Sequence, residues 1–484
     1  MSLLIRVQKH MTLMKINEKV LRLYNNSSEN YYMYDQTVFW NVSYFDKYYF
    51  DGVFGDFRFP DGTKPNWETL SWLQKKFMKW FNEERTKYVL TFPVETLALL
   101  TDDKDVLDEE YGDFASEMWS EGHSFFCYLS DSPDSLSSCC RLKSSLKGLE
   151  DDEFNHNTHQ FSMGTASVAT GSKSVMTINL NHIIQDAVND KIKEIKSTLT
   201  TEPNLNELRE SEYFYKNYHN EITDAIKNSL TDITERVHKY QAAFNDIIKD
   251  FYEADMLDVY SAGFINMKKQ YLTIGVNGLT DAAEYLGVDC TYNDEYKTLV
   301  NDILETINIS NKKAKTRDLM YNTEFVPGEN LSNKNYIWDK NDGYYVSKKH
   351  DMYSSYFFNP EDESLTVLDK MKLHGKEFVE RLDGGSASHI NISEHMSKSQ
   401  YRQLLRVAVA NGTNYFTFNC KNTVCNECGY ISKHTLDKCP HCGSENLDYL
   451  TRIIGYLKRV SNFSESRQKE EHKRSYTNKL DKND

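Results

Sequence analysis

The chain has 484 residues, a formal net charge of −15 and 39% hydrophobic residues. That length exceeds one small core and points to two or three domains, or to one large barrel with additions. The acidity is spread along the chain with no concentrated basic face, which argues against a nucleic-acid partner. No run approaches the ~20 apolar residues of a membrane span, and the charged start MSLLIRVQKHMTLM offers no signal peptide, so a cytoplasmic protein with no membrane partner is expected.

Residues 66–85 carry Leu70, Leu73, Phe77, Trp80 and Phe81 at helical spacing, which predicts an amphipathic helix. KYVLTFPVETLALL (87–100) and SFFCYLS (124–130) read as buried strands. The second runs into DSPDSLSSCCRL (131–142), which is too polar and turn-rich to continue as strand. Residues 162–180 read as a loop of glycine, serine and threonine entering a strand, and 182–260 as mainly helical. There Ile233, Val237, Tyr240, Phe244, Ile247 and Phe251 step by four and three, the pattern of one buried helix face. Strand-and-loop units follow at 271–279, 320–331 and 384–392, and NYFTFN (414–419) reads as the last regular strand before a cysteine cluster. This alternation of helix and short apolar strand predicts an α/β fold. The charged segment 463–484 predicts fraying.

Nine cysteines, an odd number in a large chain, favour metal ligation or thiol chemistry over a disulfide scaffold. Cys425 and Cys428 are separated by two residues, as are Cys439 and Cys442, and a glycine follows each pair. Four thiolates at this spacing suit tetrahedral Zn²⁺, and a full set of four leaves no open position, so the site is expected to be structural. An iron centre is the alternative. His434 and His441 are expected to face solvent because the tetrahedron is already full. The adjacent Cys139 and Cys140, beside Arg141, admit two readings: a reactive sulfur held out on a polar finger loop, or two small buried residues.

The segment TRIIGYL (451–457) has the β-branched content of a strand, yet carries Gly455 at its centre. A β-bulge or close backbone approach is one explanation. The other is chemical. A glycine Cα can hold an unpaired electron, with no side chain to block a planar radical and amides on both sides to delocalise it. Such a glycine needs a loop tip in a protected cavity, within reach of a thiol. The loops 162–174 and 384–389 offer backbone N–H groups to a phosphate or serve as ordinary turns; neither matches a P-loop or dinucleotide fingerprint.

The four-cysteine cluster closely followed by RIIGYL, with SSCCRL far upstream, resembles the anaerobic (class III) ribonucleoside-triphosphate reductases, a branch of the glycyl radical enzymes. SFFCYLSDSPDSLSSCCRL, TASVATGSKSVMTINL, TIGVNGLTDAAEYLG, NTEFVPGENL, GGSASHINISEHMSKSQYRQLL and NYFTFNCKNTVCNECGYI are similar to segments of that family in the family's order. The resemblance implies an α/β ten-stranded barrel, incomplete at the N-terminus, with a C-terminal zinc and glycyl radical region. It divides the chain into an atypical segment 1–30, a barrel 31–419 bearing the finger loop 131–142, and the region 420–484.

The resemblance further implies that Gly455 stores a radical made by a separate radical-SAM activating enzyme. That radical would oxidise Cys140, or Cys139 as second choice, to a thiyl that attacks a ribonucleoside triphosphate. Zinc on Cys425, Cys428, Cys439 and Cys442 would brace the glycine loop. Asn179, Glu329, Asn330, Ser386 and His389 are the implied substrate-pocket residues, with Glu329 as acid/base on the ribose hydroxyls; each has the competing reading of a hydrogen bond that ties a loop down. Nucleotide effectors (ATP or dNTP) and a homodimer are also implied. The sequence departs from the family by starting late: only 138 residues precede Cys139. A split enzyme needing a separate N-terminal reductase chain, a fragment or a truncated copy is expected, and the chain alone is expected to be poorly soluble or inactive. Cys127 is a poor stand-in for the family's further cysteine, because it lies on the strand leading into the finger. Two other readings stand: a glycyl radical lyase of the pyruvate formate-lyase kind, and a non-enzymatic zinc-bearing subunit.

Overall fold

The computed structural model describes residues 41–133, 135–137, 143–145, 171–263, 265–326, 330–453 and 455–480. The segment 1–30, the cysteines Cys139 and Cys140, and Glu329 lie outside them.

The larger sheet holds β1 (Asn41–Phe45), β2 (Val94–Leu100), β3 (Phe126–Ser130), β9 (Ser388–Asn391) and β10 (Tyr415–Asn419), in the order β1-β2-β3-β10-β9. β1, β2 and β3 are parallel, β10 runs antiparallel to β3, and β9 is parallel to β10. A second sheet is fully parallel: β6 (Gly171–Asn179), β7 (Gln270–Asn277) and β8 (Met320–Phe325). Every residue of β2, β7 and β8 is buried, as parallel strands require when both faces are covered. A single parallel bridge from Glu324 of β8 to Gly385, just before β9, brings the two sheets edge to edge. The α/β class is therefore as expected, while the described strands form sheets of five and three rather than a closed ring of ten.

The long helices cover one face of these sheets, while the short helix Lys47–Phe54 packs into the cluster on the other. The helix Trp67–Glu84 starts where the Asn66 side chain accepts the Thr69 N–H at 2.7 Å, with Glu68 in the first turn. It buries Trp80 and Phe81 as the spacing predicts. Helices Glu109–Ser120 and Lys398–Asn411 pack with Leu97, Leu99, Cys127, Ile390 and Phe416 into one core. Trp119 stacks on Phe125 at 5.0 Å within it. Side chains alternate across a strand, so Val94, Ala98, Phe126, Tyr128 and Tyr415 point the other way, into a separate cluster on the face turned from the helices.

The helix His219–Glu253 departs from its expected packing. Its buried residues are Ile222, Ile226, Leu230, Thr234, His238, Gln241 and Asn245. Tyr240, Phe244, Ile247 and Phe251 are exposed, at 41–63%. The buried stripe turns polar in its C-terminal half because its neighbours offer polar partners there. The His238 ring meets Asn311 Oδ1 at 2.8 Å, and Gln241 donates to the Thr273 carbonyl at 2.7 Å.

A four-stranded sheet, β12-β11-β13-β14, completes the C-terminal part: β11 (Asn422–Cys425), β12 (Ile431–Ser432), β13 (Leu447–Arg452) and β14 (Leu457–Arg459). The described part of the charged tail, residues 463–480, is packed rather than frayed. It forms a helix, Glu465–Lys473, that buries Arg467 and Glu471, with Arg474 buried just beyond. Glu470 pairs with both Arg467 and Arg474, so its charges are matched internally. Among the described residues no helix is long and apolar enough to cross a membrane.

Candidate functional site

β11 delivers Cys425 to the first of two tight turns. Gly429 N–H donates to the Cys425 carbonyl at 3.0 Å, and Gly443 N–H to that of Cys439 at 2.9 Å. Gly429 and Gly443 sit at φ +73° and +76°, the left-handed region that glycine enters without steric cost. Sγ of Cys425 lies 3.5 Å from that of Cys442, and Cys428 lies 3.7 Å from Cys439. All four sulfurs fall within 4.8 Å of one another. A tetrahedral thiolate site with Zn–S bonds near ~2.3 Å has sulfurs about 3.8 Å apart, so these residues fit a zinc ion.

The same sheet carries Gly455. β11 pairs with β13 from Asn422↔Leu450 to Cys425↔Leu447, and β13 pairs with β14 through Arg452↔Leu457. TRIIGYL is therefore not one strand. Its ladder stops at Arg452 and resumes at Leu457, and Gly455 occupies the hairpin turn between. Ile453 is fully buried, and the Tyr456 ring packs 5.4 Å from that of Phe92, against the aromatic cluster on the face turned from the helices.

Three groups that sequence reasoning missed hold this turn. Arg452, fully buried, donates from Nη1 to the Gly455 carbonyl at 2.6 Å. It also donates from Nε to Ser124 Oγ and from Nη2 to the Ser124 carbonyl, each at 2.9 Å, with its guanidinium 5.1 Å from the Phe126 ring. Asn419, at the end of β10, accepts the Arg452 N–H and donates to the Arg452 carbonyl. Arg474 of the tail donates to the carbonyls of Arg452 and Ile453 at 2.9 and 3.2 Å. The only sequence signal was the arginine three residues before the glycine; the other partners are distant in the chain.

β3 runs from Phe126 toward the cysteine pair. After it, β4 (Ser135–Ser137) and β5 (Lys143–Ser145) form an antiparallel hairpin paired through Ser137↔Lys143. This replaces the expected strandless loop, and Cys139 and Cys140 belong to the five residues between its arms. Cys127 faces the helices, and burial pushes its thiol well above the usual range.

The face opposite the long helices is aliphatic along β2, aromatic along β3 and polar along β8 to β10. His389 is buried there; its Nδ1 lies 3.1 Å from the Tyr356 hydroxyl and its ring 5.7 Å from Phe126. Through Phe126 and Arg452, His389 and Gly455 belong to one contiguous set of contacts. Ser386 is buried, and its hydroxyl has no hydrogen-bond partner among the described residues; the same is true of the whole Asn322 amide on β8. Buried polar groups are nearly always paired, so these unmatched atoms are free to take up a polar ligand. Asp383, beside them, accepts the Thr323 N–H at 2.7 Å, and burial pushes its carboxyl up to about 6.

Asn179 and Asn330 sit elsewhere in the hydrogen-bond network. Asn179 caps the helix Leu180–Thr198 and donates to Asp339 at 2.9 Å. Asn330, at φ 60°, accepts from the Ser464 hydroxyl at 2.6 Å, tying the start of its helix to the segment after β14.

Residues 24–476 match the model of the family described as anaerobic ribonucleoside-triphosphate reductase, and the chain belongs to that family. Solved structures agree. One titled anaerobic ribonucleotide reductase shares 26% identity and a TM-score of 0.70, over 91% of this chain and 62% of its own. The anaerobic ribonucleotide reductase from Thermotoga maritima in complex with dATP and CTP gives 26% and 0.70, over 90% of this chain and 65% of its own. The same enzyme with MES in the active site gives 25% and 0.71, over 94% and 70%. The chain thus spans less than two thirds of the first two of these structures. Among curated proteins, none matches it.

Proposed function

We propose that this chain carries out anaerobic reduction of ribonucleoside triphosphates to 2′-deoxyribonucleoside triphosphates, with Gly455 as the radical store and a finger cysteine, Cys140 or Cys139, as the thiyl. The observation that carries the reading is the position of Gly455: at a hairpin tip, held by Arg452 against the aromatic strand β3 whose continuation is the cysteine finger. The glycyl radical would take a hydrogen atom from the cysteine thiol. The thiyl would take the ribose 3′ hydrogen, the 2′ hydroxyl would leave as water, and two electrons from an external donor, formate or a thioredoxin-like protein, would complete the reduction.

This chain's own part is to bind, orient and exclude water. Ser386, His389 and Asn322 supply buried polar groups for the substrate, and Glu329 is the proposed acid/base. Zinc on Cys425, Cys428, Cys439 and Cys442 would brace the sheet that carries Gly455. The bridge Glu324–Gly385 supports a barrel in which β6 to β10 form one parallel half and β1 to β3 belong to the other. Two strands beyond these eight, from residues outside the described ones or from a separate N-terminal reductase chain, would complete a ring of ten. A radical-SAM activating enzyme, nucleotide effectors, a homodimer and a cytoplasmic setting complete the proposal; the dATP and CTP of the Thermotoga complex support the nucleotide part.

The test is anaerobic activation of the full chain with a radical-SAM activase and the N-terminal piece. A glycyl EPR doublet and deoxynucleotide formation are expected, both lost in Gly455→Ala. No doublet under those conditions would sink the reading in favour of a non-enzymatic subunit, and pyruvate cleavage would point to the lyase.

A further inference from the structure

A second group of metal-ligating side chains shares no residue with the zinc-type site. Glu394 and His395 follow β9, and Cys420 follows β10. One ligand atom from each lies within 4.8 Å of the others. His434, from the loop between the two cysteine turns, reaches across to them, with Nδ1 2.8 Å from Glu394 Oε1 and its ring 5.9 Å from that of His395.

The supports around these side chains are those of a built site. The His395 Nε2 lies 2.9 Å from the Lys433 carbonyl. A carbonyl only accepts, so Nε2 carries the hydrogen and Nδ1 carries the lone pair, the arrangement that orients a metal-binding imidazole. The Asn478 side chain accepts the N–H groups of Ser393 and Glu394 and donates to the Glu394 carbonyl at 2.9 Å, fixing that turn. Thr423 donates to the His434 carbonyl at 2.8 Å, fixing the other side. Cys420 is buried, and its sulfur makes long contacts, 3.9 and 3.8 Å, to the carbonyls of Ser393 and Lys421, with the Thr435 hydroxyl as a further partner.

We propose that Glu394, His395, Cys420 and His434 bind a second divalent transition-metal ion of the Zn²⁺ type. One thiolate, two imidazoles and one carboxylate select a borderline-soft ion over Mg²⁺ or Ca²⁺. Ligand atoms around tetrahedral zinc sit about 3.3–3.8 Å apart, so Glu394, His395 and Cys420 close by about 1 Å through side-chain rotation, and the exposed His434 side chain swings in to complete the set. Binding releases the Cys420 thiol proton to solvent. The ion would clip the loop between the cysteine turns to the ends of β9 and β10, one residue beyond the Asn419 that holds Arg452.

Zinc titration of the full chain tests this. Two equivalents of Zn²⁺ are expected in the parent and one in Cys420→Ser, with the four-thiol site retained. Under Co²⁺ substitution the thiolate charge-transfer absorbance should fall by the share of one thiolate in five. His434→Ala, at a side chain 61% exposed, leaves the fold in place and should weaken the second equivalent at least tenfold even if Cys420→Ser fails to fold. A parent that binds one equivalent only, or a His434→Ala chain that binds two with unchanged affinities, overturns the proposal.

Discussion

Asn419 Oδ1 accepts the backbone N–H of Arg452 at 3.0 Å, and its Nδ2 returns a hydrogen bond to the carbonyl of the same residue at 3.1 Å. The side-chain amide thus replaces a strand partner at the point where β13 leaves its ladder. Asn419 is fully buried, and its amide also donates to Asn391 at 2.8 Å. Asn419→Ala leaves several buried groups unpaired, each costing about 1–3 kcal/mol. A loss of about 2–3 kcal/mol is expected in chemical unfolding, together with faster proteolysis within 451–457.

Arg452 adds the side-chain half of the same anchor. Its guanidinium spreads over Gly455, Ser124 and the Phe126 ring, a planar fork that lysine cannot reproduce. Arg452→Lys should keep metal at the four-thiol site while reducing the glycyl radical yield at least tenfold, read by spin quantitation after activation. A full yield in the lysine variant would show that the fork does not position the glycine.

The two cysteine turns close β11 and β13 around one point. Replacing Cys425 and Cys428 together by serine removes two of four ligands and should abolish metal binding there. Thermal unfolding should then show an early transition for the four-stranded sheet, while the helix-covered sheets melt near the parent temperature. Hydrogen exchange would locate the loss in residues 422–459.

Asp383 gives a pH dependence of known sign. Its folded pKa, about 6, lies above the unfolded value of about 3.9, because burial disfavours the carboxylate. The folded chain holds this proton more tightly, so the contribution is fully present below about pH 4 and lost as pH rises through about 6. Asp383→Asn removes the titration. Relative to the parent, the variant should gain about 1.4 kcal/mol in unfolding free energy between pH 5 and pH 8; a pH-independent difference would refute the assignment.

Much of this was legible in the sequence where local rules and tertiary structure agree. The helix over 66–85 and the two cysteine turns rest on spacing and glycine, and both appear as expected. The segment 233–251 failed because periodicity identifies an apolar stripe but not which stripe meets the core; His238 and Gln241 won burial through partners on other elements. The expectation of fraying failed over residues 463–480 because the partners of Arg467 and Arg474 are buried carboxylate and carbonyl groups that charge counting cannot see. TRIIGYL failed as a strand because propensity is blind to where a ladder ends. What ends it is Arg452, whose partners Asn419 and Ser124 lie 33 and 328 residues away.

The hairpin around Gly455 has ladder bonds on both arms and a turn of only four residues. Such a turn has too little slack to swing outward on its own. Gly455 moves only when β13 and β14 move, and those strands are joined through β11 to the four cysteines. Any exchange between a sheltered and an accessible glycine is therefore a withdrawal of the whole four-cysteine sheet, like a drawer pulled by its frame, and its rate is set by the release of Asn419, Ser124 and Arg474 together.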